Sequence, residues 1–191
     1  LVVVACNTAT TNAIEVLRKN FNLPIVGIEP SIKPAMLGTK TNNIGVLATE
    51  KTLSSNLFKK TSNTFSNGVN IHEQIGYDLV NIIEENGINE KLLNLKLKGY
   101  IQPMLKYKID HLVLGCTHYY FLKDILRTIL PSEVIILDSS KAVIKRVQNL
   151  LEIYDLKTNT SKANNMFYFT GNGLVISDFL TNEDRISKIT I

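Results

Sequence analysis

Two cysteines stand in this chain, each where an apolar run gives way to amide and hydroxyl side chains. In Leu112-Val113-Leu114-Gly115-Cys116-Thr117-His118 a strand-like run leads into a thiol, a hydroxyl and an imidazole. Leu1-Val2-Val3-Val4-Ala5-Cys6-Asn7-Thr8 repeats the first part of that arrangement far away in the chain. A cysteine at the start of a helix meets unpaired backbone N–H groups and the positive end of the dipole, which favours its thiolate relative to a free-thiol pKa of about 8.5. Both thiols are therefore expected to exchange protons near neutral pH. If the two turns face each other across a cleft, one thiolate removes a proton from one face of a carbon while the opposite thiol delivers one to the other face. That chemistry is racemisation. The carbanion it passes through demands oriented donors in a dry site, and Asn7, Thr8 and Thr117 are neutral candidates for holding a substrate. His118 is placed to bind substrate or to poise the thiol beside it.

Other readings of the same residues stay open at this stage. A cysteine after a buried strand is often a small core hydrophobe. A zinc site from Cys6, Cys116 and His118 lacks a fourth ligand, and no C-x-x-C occurs, so no metal is expected. His111 reads as a strand-start residue and His72 as a surface or sheet-edge one. Gly171-Asn172-Gly173 reads as a turn, because the full Gly-rich phosphate fingerprint is missing.

The elements that must position these groups alternate. Apolar runs at 1–5, 25–28, 44–48, 110–114 and 134–137 read as strands, with a weaker one at 69–72. Helices are expected over 11–20, capped by Thr8 or Thr10, then to 37, to 60, over 78–85, over 90–108 with a break at Pro103, over 121–130 and over 141–154. Residues 61–70, rich in Ser, Thr and Asn, read as a surface connection, and 158–165 as a loop. A strand at 166–170, a short helix to 180 and a tail at 186–191 complete the order. The run 1–5 is continuously apolar and is expected to be covered on both faces. This alternation argues for an α/β fold with parallel sheets, whose ligands sit at the carboxyl ends of strands, where both cysteines fall.

Composition narrows the partners. The chain has 191 residues, 45% of them hydrophobic, with 21 basic against 17 acidic residues and a net charge of +4. The basic residues are scattered, so no nucleic-acid footprint is expected. No apolar run reaches the roughly 20 residues of a membrane span, and the chain reads as cytoplasmic with reduced thiols. Leu1 lies inside a strand pattern, so an N-terminal portion is expected upstream of it.

Ala5-Cys6-Asn7-Thr8-Ala9-Thr10 and Leu114-Gly115-Cys116-Thr117-His118-Tyr119 resemble the two signature turns of the glutamate racemases, within the cofactor-independent aspartate/glutamate racemase superfamily. Further similarity runs through 23–27, 44–49, 79–84, Asp138-Ser139 and Phe169-Thr170-Gly171. The resemblance implies Cys6 and Cys116 as the two acid/base thiols, Asn7, Thr8, Thr117 and His118 as substrate contacts, and no cofactor. It implies two α/β domains about a pseudo-twofold axis, one built from 1–29 plus 138–191 and the other, inserted, from 30–137. It further implies a homodimer that makes D-glutamate for peptidoglycan. His118 favours glutamate, since the aspartate racemases carry an acidic residue there. Tyr120 stands in place of the usual proline, a Cys-Pro element is missing around Glu73-Gln74, and the family's Asp-Ser turn and Pro-Tyr-Gly loop would lie upstream of Leu1. Competing readings are a racemase of aspartate or a hydantoin, a one-thiol decarboxylase, and a non-catalytic binding relative.

Overall fold

The structure is a computed structural model that describes residues 1–65, 68–158, 165–170 and 185–190. Strand β1 (Val2–Val4), helix α1 (Asn7–Asn20) and strand β2 (Ile25–Gly27) form a parallel unit with Val2 opposite Ile25 and Val4 opposite Gly27. Gly27 lets α1 lie close, because a Cβ there would fall 2.4 Å from Thr10 Cγ2. Helix α2 (Ile32–Gly38) leads into β3 (Asn43–Ala48), α3 (Glu50–Leu53), α4 (Asn56–Phe65) and β4 (Asn70–Ile75). Helices α5 (Leu79–Asn86) and α6 (Glu90–Leu105) precede β5 (His111–Gly115), a 3-10 turn (Thr117–Leu122), α7 (Lys123–Ile129), β6 (Ile135–Leu137) and α8 (Ser140–Ile153). Strands β7 (Met166–Phe169) and β8 (Arg185–Lys188) pair with each other in parallel.

The second sheet runs β4-β3-β5-β6, all parallel. Its two central strands are buried on both faces, as their unbroken apolar runs require. Leu47, Leu112 and Leu114 face α5, α6 and α7 through Ile83, Leu93, Leu97 and Leu126. Ile44, Val46, Ala48 and Val113 turn the other way, onto Ile32, Met36 and Phe58. Each leucine buried here contributes on the order of 1.5–3 kcal/mol. The chain then returns to its start, with α8 packing on β2, while α1 also packs on α3 and α4.

Several expectations are corrected. β1 is not covered on both faces: Leu1, Val2 and Val3 are 37%, 46% and 39% exposed, because β1 pairs with β2 alone among the described residues. An apolar run marks a strand, whereas its coverage depends on neighbours. Helix α6 passes through Pro103 without a break, since the proline sits near its C-terminal end and faces the carbonyl of Gly99, where little helix remains to lose. Residues 61–65 are helical rather than a surface connection, as Phe58 and Ser62 bury one side of α4. β4 is six residues long, not four, because it pairs along the whole of β3. The short helix before 180 and the turn at Gly171 lie outside the described residues. No helix among the described residues is long and apolar enough to cross a membrane.

Candidate active site

Cys6 follows β1 in extended backbone (φ −143°, ψ 123°) and is itself the cap of α1, its sulfur accepting from the Ala9 N–H at 3.5 Å. The helix therefore starts at Asn7, four residues earlier than Thr11, and neither Thr8 nor Thr10 caps it. The threonines serve elsewhere. Thr10 Oγ1 donates to the Val4 carbonyl at 3.0 Å and accepts from the Ile28 N–H at 3.0 Å, which pins the helix to both strands. Thr8 Oγ1 lies 2.7 Å from Thr49 Oγ1 and 3.1 Å from Thr52 Oγ1, and those two are 2.9 Å apart. Three hydroxyls thus close a ring between α1 and the start of α3. Asn7 is buried, with Nδ2 donating to the Ile28 carbonyl at 3.3 Å. Cys6 itself is exposed.

Cys116 also stands in extended backbone (φ −148°, ψ 138°), but it leads into a 3-10 turn rather than a regular helix. The expected helix over 121–130 is that turn continued into α7. Cys116 is partly buried against the main core. Its thiol is pushed up to about 11, chiefly by that burial; backbone N–H groups of His118 and Tyr119 pull the other way, and charge on Cys6 adds to the rise. The expectation of a thiolate favoured at the helix start is overturned for Cys116. Two N–H donors on a tight turn do not repay the lost hydration of a sulfur anion. The Cys6 contribution also means that the two thiols sense each other's charge.

His118 Nδ1 lies 3.9 Å from Cys116 Sγ, and its Nε2 lies 2.5 Å from Glu84 Oε1 on α5. A carboxylate only accepts, so the His118 Nε2–H donates to Glu84, and in a neutral ring the Nδ1 lone pair then faces the thiol. Sequence reasoning missed Glu84. Neighbouring Glu85 has the same chemistry, and only the turn of α5 toward the 3-10 segment selects between them.

Beside Cys116 opens a pocket of about 200 Å³ lined by Asn7, Cys116, Thr117, Tyr120, Asp138 and Ser139, among others. Asn7, Cys116 and Thr117 therefore share one cavity, whereas Cys6, Thr8 and His118 lie outside its lining. Burial works against ionisation of Asp138, but hydrogen bonds from Lys123 and Ser140 outweigh it and hold the carboxyl below its usual range. Lys123 Nζ reaches Asp138 at 2.6 Å and sits 4.8 Å from the centre of the Tyr120 ring. Ser139 bonds the Ser31 hydroxyl at 3.0 Å and the Glu29 carbonyl, tying the start of α8 to the segment after β2. Among the described residues no group of three or more His, Cys, Asp or Glu side chains is arranged to hold a metal.

The chain that carries these two turns is similar to known proteins in sequence and in fold. The chain is 38% identical over 172 residues to a glutamate racemase of Ralstonia pickettii (strain 12J), covering 90% of this chain and 61% of that protein. It thus spans about 61% of that relative's length. The fold matches the glutamate racemase isoform RacE1 of Bacillus anthracis with a TM-score of 0.82 at 24% identity, over 99% of this chain and 73% of that one. It matches the glutamate racemase of Francisella tularensis subsp. tularensis SCHU S4 in complex with D-glutamate with a TM-score of 0.80 at 26% identity, over 98% and 72% of the two chains. The profile of the Asp/Glu/Hydantoin racemase family matches residues 1–147, a span that contains both cysteine turns, Glu84 and the pocket, and the chain belongs to that family.

Proposed function

We propose that the protein interconverts L- and D-glutamate without a cofactor, by proton transfer between Cys6 and Cys116, and so supplies D-glutamate for peptidoglycan. The observation that carries this reading is the like placement of two sequence-distant thiols, each in extended backbone where a parallel strand gives way to a helical turn, with one of them opening onto the pocket. Burial keeps Cys116 as the thiol, so it is the proton donor of the resting site. In the forward step the Cys6 thiolate takes the α-proton and becomes a thiol. The electron pair stays on carbon, and Cys116 S–H protonates the opposite face and is left as thiolate. In reverse Cys116 is the base, and the His118 lone pair held by Glu84 helps strip its proton. Asn7, Thr8, Thr117 and His118 contact the substrate in this reading; Thr8 must then open the hydroxyl ring it shares with Thr49 and Thr52.

The same reading takes residues 1–29 plus 138–191 as one α/β domain and 30–137 as the second, inserted one, related by a pseudo-twofold axis. Supporting it, α8 returns from the second sheet to pack on β2. It also takes the protein as a cytoplasmic homodimer. D-Glutamate incubated with the protein in deuterium oxide is expected to exchange its α-proton and accumulate the L-form. Exchange without inversion, or racemisation retained in Cys116→Ser, overturns the two-thiol scheme.

A further inference from the structure

The chemistry above uses Cys6, Cys116, His118 and Glu84 and gives no task to Tyr119, the largest fully buried side chain of the chain's described core. Its ring lies in the cluster against which Cys116 packs. Its hydroxyl donates to the Gly76 carbonyl at 3.1 Å, a buried bond between segments 43 residues apart. A Cβ at Gly76 would lie 2.4 Å from the phenol oxygen and 2.9 Å from Cζ, so the tyrosine sits flush against backbone that only glycine leaves open. Gly76 in turn donates its N–H to the Ala48 carbonyl at 2.9 Å, at the end of β3. It stands between β4 and α5, the helix that carries Glu84.

The other end of Tyr119 belongs to the thiol. Its N–H bonds the Cys116 carbonyl at 3.1 Å, which closes the turn that holds the Cys116 sulfur 3.9 Å from His118 Nδ1. One buried phenol therefore joins the turn that presents the thiol to the junction that presents the carboxylate. A tyrosine kept only for its volume would not need the hydroxyl, and a phenylalanine would fill the same space. The burial that surrounds the phenol also holds it protonated far into alkali, so it remains a donor wherever the site operates.

We propose that Tyr119 is a positioning residue for Cys116, its hydrogen bond to Gly76 fixing the 3-10 turn that holds the thiol beside His118. The role of the thiol rests on the racemase reading; the geometry of the pin does not. The titratable groups about Cys116 are Cys6, His118 and Tyr119, with Glu84 behind His118, and across the pocket Tyr120 and Asp138, the latter paired with Lys123.

The test is the pH profile of iodoacetamide labelling at each cysteine, followed by peptide mapping, in the full chain and in Tyr119→Phe. Loss of the pin loosens the turn that holds His118 Nδ1 3.9 Å from the thiol, and labelling of Cys116 through its thiolate at a fixed pH is expected to slow by about 3–10-fold. Cys6 labelling should keep its profile. Gly76→Ala, which pushes the phenol from the opposite side, is expected to do the same as Tyr119→Phe. Leu93→Ala, which opens the same core on α6, serves as the control that loses stability and leaves the Cys116 profile in place. A Cys116 profile in Tyr119→Phe that superimposes on the wild type, speeds up, or moves no more than in Leu93→Ala overturns the proposal. If neither pin variant folds, amide hydrogen exchange of the wild type decides: Gly76, His118 and Tyr119 should open as one unit, and independent opening overturns the pin. Labelling uses no substrate. A protein that shows the shift but no racemisation therefore keeps the pin and loses the functional reading, and the converse result does the opposite.

Discussion

The turns at Cys6 and Cys116 begin with nearly the same letters and end in different environments. Cys6 caps a regular helix of 14 residues and is exposed, its sulfur taking one long N–H bond. Cys116 precedes a tight 3-10 turn, is packed against the core and has a histidine and a carboxylate in line behind it. The difference lies in what covers each strand. β1 has one neighbour among the described residues, while β5 lies between β3 and β6 with helices on both faces. A helix N-terminus alone therefore does not set a thiol's proton affinity, because hydration lost on burial is the larger contribution.

That contrast can be broken most forcefully in the chemistry. Cys116→Ser and Cys6→Ser are each expected to lower the racemisation rate by about 10²–10⁴-fold, the usual worth of a positioned acid or base. A chiral assay of glutamate in the two variants checks it, and a variant that keeps wild-type rate removes that thiol from the scheme.

Next in size is a pH effect confined to the buried thiol. Cys116 binds its proton more tightly in the folded chain, with its value raised from 9.0 to about 11. The folded state thus holds more protons than the unfolded one across that window, and stability falls as pH rises through it. The full contribution is present below pH 9.0 and is lost as pH passes about 11. Urea midpoints measured over this range should show a loss of about 2–3 kcal/mol that Cys116→Ala abolishes, while Cys6→Ala trims it only by the smaller share that the charge on Cys6 supplies.

A smaller change sharpens the comparison inside the second turn. Glu84→Gln keeps the size of the side chain but offers His118 a choice of partners, so the Nδ1 lone pair is no longer secured toward Cys116. The kcat in the direction that uses Cys116 as base should drop by about tenfold, more than kcat in the opposite direction, while the two kcat/KM values fall together because the equilibrium constant ties them. Equal losses of kcat in both directions would remove the His118 assistance. Smallest is the effect at the first turn. Thr49→Ala opens the hydroxyl ring around Thr8 and should cost about 1 kcal/mol in thermal unfolding. It should alter Cys6 labelling before Cys116 labelling.

Legibility in the sequence tracks how local each interaction is. The strands 44–48 and 110–114 were legible because both central strands are buried on two faces, and their inner residues Ile44–Ala48 and Leu112–Leu114 therefore carry no polar side chain. The site letters were legible because a cysteine followed by threonine after an apolar run is a local pattern. Glu84 was not, since nothing near it in the chain separates it from Glu85. Neither was the bond between Tyr119 and Gly76, nor the meeting of Thr8 with Thr49 and Thr52, which join segments tens of residues apart. The helix start at Asn7 escapes the threonine-cap rule because a sulfur rather than a threonine oxygen takes the cap position.

The amino-acid sequence by itself determined the alternation of strands and helices, the placement of both thiols at strand ends and the family to which the chain belongs. Each of these depends on residue type and short-range spacing. The tertiary structure alone decided that β5 is enclosed between two strands and two layers of helices while β1 has one neighbour among the described residues, that Cys116 keeps its proton, and that Glu84 reaches His118. Hydration and cross-chain hydrogen bonds depend on which atoms the fold brings together, and that is a property of the packed molecule rather than of any stretch of it.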